Sequence, residues 1–279
     1  MGDGQTPSVA IVIPARLAST RLPRKMLLAE TGKTLVEHTY LAARRVGIAS
    51  RVIVATDSDE IDSVVRAFGG EAIPTSPEAA SGTERIVELL SRLPGIEIIV
   101  NVQGDEPEIE PSAIEEVVAL LDRRPTAGMA TLVTPLRRRE DLGDPACVKA
   151  VLTPWRDAAT GTPDTRAWRA ITFSRAGVPY PRVPAGLDAA AQRSWENDLL
   201  TADPPMYWQH IGLYAYRRGL LESWHAIGPS RLAEIESLEQ LRVIEAGIDI
   251  VAGVVATHAR GIDTAADYAA FVSRVRSAG

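Results

Sequence analysis

Three short apolar runs restrict the fold open to this chain. Ser8–Ile13 (SVAIVI), Arg51–Ala55 (RVIVA) and Glu97–Val102 (EIIVNV) are too short for helices and too continuously apolar for strands wetted on one face. Stretches with helical spacing separate them. Thr34–Val46 places Leu35, Thr39, Ala42 and Val46 on one face, with Gly47 able to end the helix. Asp57 or Ser58 can cap a second helix, Glu71–Pro74 is a weak strand, and Thr83–Leu93 and Pro111–Asp122 read as helices. Such alternation predicts an α/β fold with a mostly parallel sheet flanked by helices, whose ligands sit beyond the C-terminal ends of the strands.

The pattern changes near residue 128. Met129–Thr134, Cys147–Leu152 and Tyr207–Tyr216 read as longer strands, while Pro154–Ala167 and Pro184–Pro205 read as loops or insertions. Alternation returns with the strand Ile248–Val255 between helices at Ser237–Ala246 and Ala265–Val275. These features predict one domain over residues 1–279 with a strand-rich lobe inserted at about 130–220.

Two loops of the predicted ligand rim carry the chemistry. The first, "IPARLASTRLPRKML" (13–27), concentrates Arg16, Arg21, Arg24 and Lys25 in a chain whose formal net charge is −6. It contains neither a P-loop nor a dinucleotide fingerprint. Its guanidinium and ammonium groups, the hydroxyls of Ser19 and Thr20, and free backbone N–H groups suit a triphosphate. The second loop, "QGDEP" (103–107), sets Asp105 on the same rim, where a carboxylate can hold Mg²⁺. Asp263 in "GIDTAADY" is a second candidate, although Asp before a helix is commonly an N-cap.

Other signals limit the partners. The acidic balance, with no long basic run, argues against nucleic acid, and no apolar run is long enough for a membrane-spanning helix. A single cysteine, Cys147, permits no internal disulfide and fits a reducing, cytoplasmic setting. Met1–Thr6 matches the loose myristoylation pattern, but Asp3 beside the glycine argues against acylation.

In order along the chain, "IPARLASTRLPRKML", "VIVATD" (52–57), "SGTERI" (81–86), "IVNVQGDEP" (99–107), "VKAVL" (148–152), "FSRAGVPY" (173–180), "HIGLYAYR" (210–217), "SLEQLRVIEAG" (237–247) and "GIDTAADY" (261–268) resemble the 3-deoxy-manno-octulosonate (Kdo) cytidylyltransferase family. The resemblance implies a Rossmann-like sheet of the nucleotide-diphospho-sugar transferase type and a homodimer. It also implies Mg²⁺-dependent transfer of CMP from CTP to Kdo for lipopolysaccharide assembly. Arg16, Arg21, Lys25, Asp105 and Asp263 would form the catalytic set, with Asp105 and Asp263 on the metal. Ala15, Arg16, Ser19, Arg21, Lys25, Ser81, Gly82, Thr83, Gln103 and Asp105 would hold the nucleotide. Arg175, His210, Tyr214, Glu239 and Gln240 would surround the sugar acid, with Arg175 as the fork for its carboxylate; Lys149 matches a family position without an assigned role.

The chain departs from the family pattern in two places. Glu78-Ala79-Ala80 replaces Asp-His-Gln, and Arg24 and Met26 replace the glycine and second proline of "RLPGKP". These departures leave room for another 2-keto acid sugar, such as an amino-Kdo or sialic-type acid. A non-catalytic nucleotide-binding relative is the remaining alternative. A DxD-dependent glycosyltransferase is disfavoured because Asp57-Ser58-Asp59 reads as a helix cap.

Overall fold

The computed structural model describes residues 7–156, 160–256, 258 and 261–278. The myristoylation pattern at 1–6 lies outside them. In chain order the strands are β1 (Val9–Ala15), β2 (Ala49–Thr56), β3 (Glu71–Pro74), β4 (Ile98–Asn101), β5 (Met129–Pro135), β6 (Lys149–Arg156), β7 (Pro163–Ser174), β8 (Trp208–Arg217) and β9 (Ile250–Val254). The helices are α1 (Leu35–Arg44), α2 (Asp59–Ala67), α3 (Gly82–Glu88), α4 (Pro111–Arg123), α5 (Arg139–Gly143), α6 (Ala189–Thr201), α7 (Arg218–Glu222), α8 (Arg231–Glu236), α9 (Leu241–Glu245) and α10 (Ala265–Ala278).

The chain divides into two compact units. The first comprises residues 1–122, 213–225 and 259–279, and the second comprises 123–212 and 226–258. The second thus contains most of the segment expected as an insertion, together with 226–258.

In the first unit β3, β2, β1 and β4 pair in that order and all in parallel, and the end of β8 closes on β4 in antiparallel register. Strand β1 is buried at every position except Pro14, as its unbroken apolar run requires of a strand covered on both faces. Ser58 caps α2 by accepting from the Ile61 N–H, which accounts for the middle residue of the Asp-Ser-Asp triplet.

The second unit is a mixed sheet. β5 pairs with β9 in parallel, while β9–β7 and β7–β6 are antiparallel. Here the two segments read as loops turn out differently. Pro154–Arg156 continues β6, and Pro163–Ala167 begins β7, so the strands form a long hairpin. Two register shifts, at Val151/Leu152 and Pro154/Trp155, let the strand carry its proline. Within 184–205, Asp188 accepts from the N–H groups of Ala190 and Ala191 and starts α6, a helix that flanking prolines disguise in the sequence. The helix expected over Ser237–Ala246 is shorter: Ser237 adopts the left-handed conformation at φ 51° and separates α8 from α9.

Candidate active site

Pro14 and Ala15 end β1, and the chain then leaves the sheet as the cationic loop. Arg24, in the left-handed conformation at φ 54°, turns it into a short 3-10 helix over Lys25–Leu27. A glycine accepts this backbone conformation more readily than any other residue, so Arg24 adds local strain at this turn. Its guanidinium faces solvent and pairs with Glu60.

Lys25 points inward and is nearly buried. Its Nζ donates to Asp105 Oδ2 at 2.5 Å and lies 3.4 Å from Asp263 Oδ1. Arg21 Nη2 donates to the same Asp263 oxygen at 2.8 Å. Two carboxylates 158 positions apart therefore converge on one ammonium group.

Backbone ties produce that convergence. The Ile262 N–H donates to the Asp105 carbonyl at 2.8 Å, laying the 261–263 turn beside the turn that follows β4. Thr39 of α1, fully buried, donates its hydroxyl to the Gly104 carbonyl at 2.9 Å and anchors that turn from behind. A Cβ on Gly104 would stand 2.9 Å from the Pro14 carbonyl oxygen, so only glycine lets the two loops approach this closely.

Asp263 does not cap α10. Thr264 does: its Oγ1 accepts from the Asp267 N–H, while Asp267 Oδ2 accepts from the N–H groups of Asp263 and Thr264. The Asp263 carboxylate is thereby left to face Lys25 and Arg21.

A cavity of about 320 Å³ opens over this pair of carboxylates. Of the residues expected at the nucleotide, Arg16, Ser19, Arg21, Lys25, Gly82, Gln103 and Asp105 line it, and so does Asp263 of the expected metal pair. Ala15 and Thr83 lie buried beneath, and the Thr83 hydroxyl is 3.1 Å from that of Tyr216. Ser81 caps α3 by accepting from the Glu84 N–H. Arg16 Nη2 donates to the Ala79 carbonyl at 2.9 Å, so a backbone oxygen meets the loop cation within the altered Glu78-Ala79-Ala80 segment. Thr20, whose hydroxyl was expected to serve a phosphate, and Met26 also line the cavity, as does Gly104, which carried no individual signal in the sequence. A larger cavity, about 680 Å³, lies among Arg124, Trp155, Arg156 and Arg169 of the second unit and contains none of the expected residues.

In the second unit, Arg175 does not present the open fork expected for a carboxylate. Its Nε, Nη1 and Nη2 donate to the carbonyls of Glu236, Pro145 and Ser237 at 2.7, 2.9 and 3.2 Å. A guanidinium has five N–H donors, and three are committed to backbone. Lys149 is fully buried, and its Nζ donates to the carbonyls of Asp144 and Arg175 at 2.9 and 2.8 Å. Burial lowers the pKa of its ammonium. The Glu236 carboxyl is held below its ordinary value by the Ser174 hydroxyl and then by the Arg175 N–H.

His210 is buried against the Phe173 ring, with Nε2 3.1 Å from the Thr131 hydroxyl. Burial first, and then the charge of His258, lowers its pKa to about 3, so the imidazole is neutral at working pH and too weakly basic to serve well as a general base. Gln240 is buried and Glu239 half-buried. Tyr214 belongs to the first unit, opposite Asn101 of β4.

A family model for cytidylyltransferases matches residues 10–250. The chain belongs to the cytidylyltransferase family. A 3-deoxy-manno-octulosonate cytidylyltransferase from Rhodopirellula baltica is 49% identical over 267 residues, 96% of this chain and 98% of that protein. One from Myxococcus xanthus is 37% identical over 99% of both. The solved structure of CMP:2-keto-3-deoxy-manno-octonic acid synthetase complexed with CTP superposes with a TM-score of 0.81 at 34% identity, covering 98% of this chain and all of that one. A Leptospira borgpetersenii cytidylyltransferase, 16% identical with a TM-score of 0.58, shares the fold. Among the described residues no helix of this cytidylyltransferase is long and apolar enough to cross a membrane.

Proposed function

We propose that this cytidylyltransferase transfers CMP from CTP to the anomeric hydroxyl of Kdo, releasing pyrophosphate, with Mg²⁺ held by Asp105 and Asp263. The observation that carries this reading is Lys25, whose ammonium lies between those two carboxylates at the floor of a cation-lined cavity. The names of the relatives and the CTP complex of the synthetase support the choice of substrates.

The donor set suits the metal. The cleft offers two carboxylates, Asp105 and Asp263, that already face a cation, although among the described residues no cluster of three or more His, Cys, Asp or Glu side chains occurs. Mg²⁺ commonly takes one or two protein carboxylates and completes its shell with water and phosphate oxygens. When bound, it neutralises phosphate charge and lowers the pKa of a coordinated hydroxyl.

The side chains of the cleft do the rest by placement. Arg21 and Lys25 exchange their present carboxylate partners for phosphate oxygens, and Arg16, held in place by the Ala79 carbonyl, turns its remaining N–H donors to them, screening the charge that develops on departing pyrophosphate. Gly82 keeps the α3 end of the cleft low, and Gln103 offers an amide to the base. In-line attack by the sugar hydroxyl then needs no side-chain nucleophile.

Arg175 and Lys149 belong to this scheme as ties that hold turns of the second unit, where His210, Glu239 and Gln240 are the proposed neighbours of the sugar acid. A homodimer is part of the same proposal. Among the described residues, the exposed large apolar side chains Ile171, Tyr180, Leu187, Met206, Leu232, Ile235 and Val254 belong to the second unit and only Leu41 to the first.

The deciding assay gives purified protein Mg²⁺, each nucleoside triphosphate and a panel of 2-keto acid sugars, and measures pyrophosphate. Fast release is expected for CTP with Kdo alone. Faster release with an amino-Kdo or a sialic-type acid would reassign the sugar, and no release with any pair would refute the activity.

A further inference from the structure

Arg85 of α3 is fully buried, and the nucleotide cavity does not use it. Its Nη2 donates to Asp57 at 2.5 Å, just beyond β2. Its Nη1 donates to the Thr75 hydroxyl at 2.6 Å and to the Ser76 carbonyl at 3.1 Å, just beyond β3. A buried ion pair of this kind adds little stability over an apolar replacement of similar shape, so its value lies in the geometry it imposes.

That geometry concerns the segment 75–81. Helix α3 grips it from below at three more points: Glu88 accepts from the Ser76 N–H at 2.8 Å, Glu84 accepts from the Ala80 N–H at 2.7 Å, and Ser81 caps the helix itself. On its other side the segment offers the Ala79 carbonyl to Arg16. Gly82, the next residue, lines the cavity. The position of Asp57 and Arg85 therefore reaches the ligand through one short stretch of backbone.

We propose that Asp57 and Arg85 are a positioning pair that sets the height of segment 75–81 against the cationic loop, and so fixes the grip of Arg16 on the nucleotide. Neither residue touches the ligand. The inference rests on the reading of this cleft as the CTP site, and its test separates the two.

The test measures CTP binding by titration calorimetry, KM for CTP and for the sugar, and thermal unfolding. Wild-type protein that fails to bind CTP would overturn the reading of the cleft, and the pair with it. Given wild-type binding, Arg85→Met is expected to weaken CTP at least tenfold while leaving the sugar KM within about twofold. Arg85→Lys should recover part of the loss, and the double variant Asp57→Asn/Arg85→Met should be no worse than Arg85→Met, because both act through one contact.

Glu88 is exposed, and Glu88→Ala keeps the buried pair and should fold. It removes one hold on the same segment and should weaken CTP about threefold at unchanged Tm. Tenfold weakening for CTP and sugar alike in Arg85→Met, or full CTP affinity in both Arg85→Met and Glu88→Ala, would overturn the positioning role.

Discussion

Both units gather cations, but they give them different partners. In the first, Lys25 and Arg21 meet carboxylates at the rim of a cavity, and the Arg21–Asp263 pair is largely exposed. In the second, Lys149 and Arg175 spend their donors on backbone carbonyls, five bonds in all. An exposed side-chain ion pair contributes about 0–1 kcal/mol and is readily exchanged for a ligand that offers more charge. A carbonyl has no such alternative partner, and losing its donor leaves a buried polar group unsatisfied. The first arrangement is a binding site at rest; the second is scaffolding made of charged residues.

The sharpest way to break this contrast is at the two rim carboxylates. Asp105→Asn and Asp263→Asn each remove a negative charge while keeping shape, and each also weakens the hold on Lys25. Turnover is expected to fall about a thousandfold, which corresponds to roughly 4 kcal/mol of transition-state stabilisation. Tm should move by no more than about 3 °C for Asp263→Asn, whose pair with Arg21 is exposed, and by more for Asp105→Asn, which takes the closer partner from the nearly buried Lys25. Steady-state pyrophosphate release and calorimetry on the same preparations check both halves. Near-normal turnover in either variant would remove that residue from the metal site.

The converse experiment lies in the second unit. Lys149→Met keeps the length and apolar stem of the side chain but strips donors from the Asp144 and Arg175 carbonyls. Leaving two such groups unpaired should cost about 2–3 kcal/mol and lower Tm by about 4–10 °C. Affinity for CTP should hold, because none of these contacts lies in the nucleotide cavity. A Lys149→Met protein with wild-type Tm would show that the ammonium is not a tie.

The contrast also accounts for what could be read in advance. Strand runs such as SVAIVI and EIIVNV declare their burial through apolar content alone, and a loop that crowds Arg16, Arg21 and Lys25 at a strand end declares an anion. Asp105 was legible as a candidate because it follows a buried strand onto the ligand rim, whereas Asp263 competed with the N-cap reading that Thr264 fills instead. The roles of Arg175 and Lys149 were not, since a carbonyl acceptor belongs to every residue and leaves no trace in the sequence. The same holds for Arg24, whose positive φ is a property of the turn. Helix α6 was hidden by the prolines on either side, although Asp188 and the alanines after it held the signal. The hairpin of β6 and β7 was obscured by a proline that register shifts accommodate.

His210 tests the second unit's structural character by pH. Its pKa falls from about 6.5 in the unfolded chain to about 3 in the fold, so between these values the unfolded state binds the extra proton. Stability attributable to the neutral imidazole is thus complete above pH 6.5 and declines as pH falls toward 3, by up to about 1.4 kcal/mol for each pH unit. Gln at this position can still hydrogen-bond Thr131 but cannot titrate. Denaturant melts of wild type and His210→Gln at pH 7, 6 and 5 should show wild type losing ground to the variant as the solution is acidified, whatever the offset between them at pH 7. The pH profile of kcat should carry no limb that disappears in His210→Gln. A constant stability gap across that range would mean that the folded imidazole takes up its proton near the ordinary value, and the buried ring would then be an ionisable part of the site.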